Sequence, residues 1–438
     1  MQTNEQPHAG RPLPPPTPST RYDRFRDEVM AGGSVTERDP ADEPFGGGSA
    51  GALAGLAIVG LFVWLGVTNR WMLVFALGIL VSVFLHELGH FLTARLTGMK
   101  ATQFFIGFGP RLWSFHRGET EYGVRVLPLG AFVRIIGMNN LDEVPPADEA
   151  RTYRQKSYPR RMLVITAGSL MHLLIAIVLL FGVFATRGQL VDRTGAQVVD
   201  IAADSGAEAA GIRSRDVILS IGGVAIEDGD LGAAVREADP GDTVDIVVER
   251  DGEQLTVAAT LGENPTPGAL FGTALLGVTS RGATEWEEQS VAEAGRATFT
   301  DLFPATWEST KGIVQVLNPI NIVEHLRGES DDLRTRPTTI VGVTQVSGDV
   351  GEMEGLAGIL YLLAILNVFV GVFNMFPLLP LDGGHAAIAT YERIREIGRG
   401  GRRYFTDVAR LMPFTMGVIA ILFFLFMSGL YLDITKPL

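Results

Sequence analysis

The chain has 438 residues, 47% of them apolar and only 19% charged, with a positive mean hydropathy; that balance excludes an ordinary soluble enzyme, and the length allows more than one domain. A formal charge of −13, with no basic patch interleaved with aromatics, excludes nucleic acid as a partner. Cysteine is absent, so disulfides, thiolate ligands and a cysteine nucleophile are excluded together, and any metal must be held by His, Asp or Glu.

Residues 1–49 carry Pro12, Pro14, Pro15, Pro16 and Pro18 and then Gly46–Gly48, with little apolar periodicity. Such a segment cannot offset its ordering entropy by burial, and it is expected to be a disordered cytoplasmic tail. Long apolar runs follow at about 50–67, 71–85, 162–186, 356–381 and 413–432, each near the roughly 20 residues that span a bilayer. The first starts too far from the N-terminus, behind a mixed-charge segment, to be a secretory signal. Residues 50–96 read as a helical hairpin broken only at Thr68, Asn69 and Arg70, with Trp64 and Trp71 as interfacial anchors.

Residues 97–161 turn basic, with ten Lys or Arg against six Asp or Glu, and 386–412 carry six arginines. The positive-inside rule puts both segments in the cytoplasm and the acidic stretch 187–355 outside. The expected fold class is therefore a polytopic α-helical membrane protein of about five spans, with its N-terminus inside. Within 97–161, Phe104–Phe108, Tyr122–Val126 and Phe132–Ile136 alternate with Gly and Pro turns, which predicts short apolar β-hairpins beside the membrane. They are either a small soluble sheet under the helices or an open edge that a substrate strand joins.

After the span 162–186, residues 187–262 are strand-rich. The stretch Gly211–Gly223 resembles the turn-then-strand core of PDZ domains, followed by a helix-like stretch at 229–238 and strands near 243–250 and 254–261. An inserted α+β PDZ domain is expected there, and 263–355 is expected to be a connecting region with one or two amphipathic helices. A span at 356–385, the basic segment 386–412 and a last span with a short tail at 413–438 complete the chain.

The chemistry lies in His86-Glu87-Leu88-Gly89-His90, an H-E-x-x-H pattern. On a helix, residues four apart share a face, so both imidazoles reach one Zn²⁺, and Glu87 is placed to take a proton from the water that catalytic zinc activates. His86 lies 15 residues past Trp71, about 22 Å along a helix of 1.5 Å rise. Ionisable groups at that depth are too costly for a helix that only anchors. A third ligand is required. Asp382 ends the run Asn374-Met375-Phe376-Pro377-Leu378-Leu379-Pro380-Leu381, where two prolines and the following Gly383 and Gly384 predict irregular backbone that must be buried in protein or line a wet cavity. His385 competes as ligand, lies beside the ligand set, or is simply a polar residue at the membrane boundary.

Together, His86–His90 and Asn374…Leu381-Asp382-Gly383 resemble the site-2 protease family of intramembrane zinc metalloproteases, and the order of elements is similar to its bacterial members with one extracytoplasmic PDZ domain. Phe105-Ile106-Gly107-Phe108-Gly109-Pro110 and Pro377-Leu378-Leu379-Pro380 are most similar to actinobacterial members that cleave anti-sigma factors. The resemblance implies one zinc on His86, His90 and Asp382, with Glu87 as general base. It implies that Asn374 holds the substrate backbone or the oxyanion, although a helix-packing hydrogen bond is an alternative for that residue. Residues 122–136, including Val124, Val126 and Phe132, would present substrate. Partners are then the lipid bilayer, single-span membrane proteins such as anti-sigma factors, and a peptide on the PDZ domain, all at the plasma membrane with the active site near its cytoplasmic side. The family's Gly-x-x-x-Asn pattern reads here Gly168-Ser169-Leu170-Met171-His172, so His172 either keeps the packing role of the asparagine or perturbs the zinc site. Two other classes are weighed: an inactive membrane receptor, against which the intact Glu87 speaks, and a transporter, which predicts inverted repeats that the sequence lacks.

Overall fold

A computed structural model describes residues 49–138, 142, 144–227, 229–265, 271–328, 335–400 and 402–436. The expected tail lies almost wholly outside them. In chain order the main elements are helices α1 (Ser49–Thr68) and α2 (Arg70–Leu96), strands β1 (Ala101–Arg117) and β2 (Thr120–Ile135), and α3 (Tyr158–Arg187). Strands β3 (Gln189–Ile201), β4 (Val217–Ile221), β5 (Val224–Ala225), β6 (Thr243–Arg250), β7 (Glu253–Thr260), β8 (Gly262–Glu263), β9 (Ala274–Leu275) and β10 (Val278–Glu287) follow. The chain ends with α4 (Val291–Val316), α5 (Pro319–Arg327), α6 (Ile340–Asn374), α7 (Asp382–Gly398) and α8 (Met412–Thr435). Among the described residues, α2, α3, α6 and α8 are long and apolar enough to cross a membrane, and the apolar stretch Gly55–Thr68 of α1 is shorter.

Two compact units divide the chain. The first comprises residues up to Ile175 with Thr306–Val346 and Leu366–Leu438. The break between α1 and α2 is a single residue, Asn69, whose side chain accepts from the Trp71 amide at 2.8 Å and so caps α2. Further along, α6 is capped by Thr339, whose N–H and hydroxyl both donate to the fully buried Asp433 carboxylate of α8, at 2.8 and 2.7 Å. A negative charge at a helix N-terminus is stabilising, and here it also ties the last span to α6.

Strands β1 and β2 each fold back on themselves. The first half of β1 pairs on one side with Glu121–Val124 and on the other with Ala131–Ile135, while Arg111–Arg117 pairs with Thr120–Arg125. The result is a curled antiparallel sheet in which Ala131–Ile135 is an outer strand. Its apolar face joins α2, α3 and α7 through Phe91, Met99, Phe104, Ile135, Val164 and Ala389.

The second unit comprises Ala176–Ala305 and Ser347–Ile365. Its sheet has the strand order β10-β3-β4-β6-β7 with β5 beside β4, and a core that includes Val198, Ile218, Ile246 and Val248. Two differences from the sequence reading stand out. Residues 278–287, expected in a connecting region, form β10 and pair with β3 along its length; a strand that joins its sheet across some 80 intervening residues carries no local signal of that partnership. Helix α6 also starts 16 residues before the expected span (Ile340 rather than 356), passing a non-helical Gly355 at φ 65°. It ends at Asn374, so Asp382 belongs to the first turn of the next helix rather than to the span.

Candidate metal centre

His86, Glu87 and His90 occupy the buried side of α2. The two Nε2 atoms are 3.2 Å apart, and the Asp382 Oδ2 lies 3.6 Å from the first and 3.4 Å from the second. A tetrahedral ion with bonds of about 2.05 Å holds its ligand atoms roughly 3.3 Å apart. These three spacings therefore suit one small divalent cation. Asp382 Oδ2 is buried and makes no hydrogen bond, a costly state for a carboxylate oxygen that an ion would relieve. Among the described residues, these three are the group able to hold a metal.

The three candidate ligands are aimed by their neighbours. His90 Nδ1 donates to the Val164 carbonyl at 2.7 Å, which leaves Nε2 with its lone pair facing the site. Glycines bring the helices close enough for this. A Cβ on Gly89 would lie 2.8 Å from the Ala167 carbonyl, and one on Gly168 would lie 2.4 Å from both His86 Cε1 and His90 Nε2. Asp382 is set by a tight approach on the opposite wall: a Cβ on Gly383 would strike the Met375 carbonyl, and one on Gly384 would lie 2.6 Å from the Leu379 amide. The Pro-rich turn 375–381 thus folds directly onto the start of α7, and only glycine fits at both positions.

Glu87 stands beside the ligand set, Oε1 4.0 Å from His86 Nε2, and its Oε2 accepts the Val133 N–H at 3.1 Å. The outer strand of the first sheet therefore reaches the site directly. Of the residues expected to contact substrate, Val124 is exposed, but Val126 and Phe132 are buried; Phe132 stacks on Phe105, with the Arg125 guanidinium close to both rings. Their side chains belong to the core of the sheet, which leaves the backbone of 131–135 as the part that faces outward. Asn374 is the last residue of α6, half-buried, with no side-chain hydrogen bond to a described residue.

His172 lies on α3 with its ring centroid 4.9 Å from that of His86. Its Nδ1 donates to Asn367 Oδ1 at 2.8 Å, and Asn367 Nδ2 donates to Ser82 Oγ at 3.1 Å. This buried line runs from α2 through α6 to α3 and steadies the ring against His86. Asn367 and Ser82 are neighbours of His172 that the sequence reading missed. The signal was there: Asn367 is an amide within an otherwise apolar run, and such groups need partners in a bundle. His385 is one turn into α7 with Nε2 buried and without a hydrogen bond, outside the three-residue ligand group.

Residues 74–429 match peptidase family M50. Similar proteins include zinc metalloprotease Rip1 of Mycolicibacterium smegmatis, 33% identical over 401 residues, covering 83% of this chain and 97% of that protein. Zinc metalloprotease Rip1 of Mycobacterium tuberculosis and that of Mycobacterium bovis are each 32% identical over 394 residues, with the same two coverages. Since the match runs from inside α2 to inside α8 and so takes in both halves of the metal centre, the chain belongs to peptidase family M50, the site-2 proteases, and is a membrane-associated zinc metalloendopeptidase.

Proposed function

We propose that this enzyme hydrolyses peptide bonds within or near the transmembrane segments of single-span membrane proteins, anti-sigma factors among them. The observation that carries the reading is the convergence of His86, Glu87 and His90, on a helix apolar enough to span a bilayer, with Asp382 from a separate helix. The residues that hold zinc are His86, His90 and Asp382; bound there, zinc supplies the Lewis acidity that polarises a peptide carbonyl and acidifies water. Glu87 takes the proton of the attacking water and returns it to the leaving amine, a role suited to a carboxylate beside the ligands but outside them. The Val133 N–H fixes which way that carboxylate points. Asn374, whose side chain has no hydrogen-bond partner among the described residues, holds the substrate backbone or the oxyanion.

A spanning helix hides its peptide bonds in its own hydrogen-bond ladder, so substrate must unwind before cleavage. Pairing with the backbone of strand 131–135 offsets part of that cost. The β3–β10 sheet is read as a PDZ-like domain, outside the plasma membrane, that gates or selects substrate by a bound peptide. The basic segments 97–161 and 386–412 then lie in the cytoplasm, and α1 completes five spans.

The test uses full-length protein in detergent with a panel of single-span proteins, products being located by mass spectrometry. Wild type is expected to cut within or beside the span and to stop with a zinc chelator. Glu87→Gln is expected to keep its zinc and lose cleavage by several orders of magnitude. Cleavage by Glu87→Gln at the wild-type rate would refute the assignment.

A further inference from the structure

A second polar site lies where α3 begins. A cavity of about 270 Å³ is lined by Arg154, Lys156, Arg161, Arg393 and Arg403, with Glu396 as its one carboxylate. These cations come from three separate stretches: the approach to α3 and its first turn, the middle of α7, and the segment after α7. Three of them already have acidic partners. Arg154 bonds Glu149 at 2.6 and 2.9 Å, Arg161 bonds Glu392 at 2.5 Å, and Arg393 lies 3.4 Å from Glu396. Lys156 and Arg403 have none among the described residues. The Lys156 ammonium donates to the Ala150 carbonyl at 3.1 Å, and Arg403 donates to the side chain and carbonyl of Gln155 at 2.7 and 3.0 Å.

The helix adds to this excess of positive charge. α3 is 30 residues long, has no acidic residue in its first turn, and places Arg160 and Arg161 there instead. Cations at a helix N-terminus oppose the macrodipole, whereas an anion at that place is met by it and by unpaired N–H groups. Burial, and then Arg160 and Arg151, push the Lys156 ammonium below its ordinary value. Basic residues are expected on any cytoplasmic face, but a scatter of them makes no concavity. Here five converge on one, at a helix N-terminus, with two left without a counter-charge.

We infer that this cavity binds a phosphate group, carried either by the headgroup of an anionic phospholipid or by a soluble phosphate. Lys156 and Arg403 supply the uncompensated charge, and Ser157 and Tyr158, at the start of α3, line the same cavity. Bound there, the anion joins the approach to α3 to α7, the helix whose first residue is Asp382.

The experiment measures thermal unfolding of the full-length protein in a neutral detergent at fixed ionic strength. Three probes are titrated: short-chain phosphatidylglycerol, short-chain phosphatidylcholine, and inorganic phosphate against chloride. Wild type is expected to be stabilised by phosphatidylglycerol if the source is lipid, or by inorganic phosphate if it is soluble, and unaffected by phosphatidylcholine. Lys156→Gln/Arg403→Gln is expected to weaken that response at least tenfold in midpoint concentration. Arg402→Gln, one residue away and not lining the cavity, is expected to keep it; Lys156→Gln alone serves if the double variant does not fold. The inference is overturned if neither phosphate source stabilises wild type, or if the cavity variants respond as Arg402→Gln does.

Discussion

Replacing Gly168 by alanine adds one methyl where the structure has no room for it. The new Cβ would lie 2.4 Å from His86 Cε1, 2.4 Å from His90 Nε2 and 2.6 Å from His86 Nε2. Ordinary carbon contacts begin at about 3.5 Å, so the two rings must retreat by roughly 1 Å. Metal ligands tolerate only about 0.2 Å. Overpacking of this kind costs about 1–3 kcal/mol, or roughly 5- to 150-fold in an equilibrium constant. Because the atoms that must yield are the ligand atoms themselves, the loss should fall on zinc affinity. Alanine is the better helix former by about 0.5–1 kcal/mol, so global unfolding should change little or shift the other way. That divergence is the signature to look for. Zinc affinity is measured by chelator competition in detergent, and unfolding is followed in parallel. Gly182→Ala is the control, since a Cβ at that site on the same helix meets nothing within 4 Å. If Gly168→Ala holds zinc as tightly as wild type, the close fit of α3 against the imidazoles is not what sets the ligand geometry.

Two other outcomes follow from buried pairs. Glu392→Leu strands the buried Arg161 guanidinium and the Thr406 N–H, and should destabilise by about 3–5 kcal/mol, while Arg161→Leu/Glu392→Leu should recover most of that loss because both charges leave together; chemical unfolding of the three proteins checks both statements. His172→Leu removes the buried hydrogen bond to Asn367 Oδ1, a loss of about 0.5–1.5 kcal/mol, and removes the ring that abuts His86. Its thermal midpoint and its cleavage rate should both fall, and an unchanged rate would show that the line from Ser82 to His172 has no bearing on catalysis.

The parts of this molecule that were legible in the sequence are those whose signal is local. His86 and His90 are four apart on one helix, and the cost of placing them in an apolar run marks them without any knowledge of their partners. Asp382 was legible because prolines and glycines announce irregular backbone where lipid does not permit it. Closely spaced alternation gave β1 and β2 as hairpins, yet not the doubled register by which Phe104 faces both Val133 and Tyr122. Pairings across long intervals were invisible: β10 with β3, Asp433 with the start of α6, Val133 with Glu87. Nor does composition reveal that Val126 and Phe132 point inward, since either face of a curled apolar sheet reads alike.

The hydrogen bond from Val133 to Glu87 has a bearing on how a guest chain is received. Along the outer border of strand 131–135, successive rungs offer a donor or an acceptor of the ordinary peptide kind, but at one rung the donor is already committed to the carboxylate. A polypeptide laid along that border finds an acid at that single position in place of an amide. Under the proposed strand pairing, the bond to be cut would be set by how far along the border the guest has advanced: the strand would work as a ruler, with Glu87 as its mark.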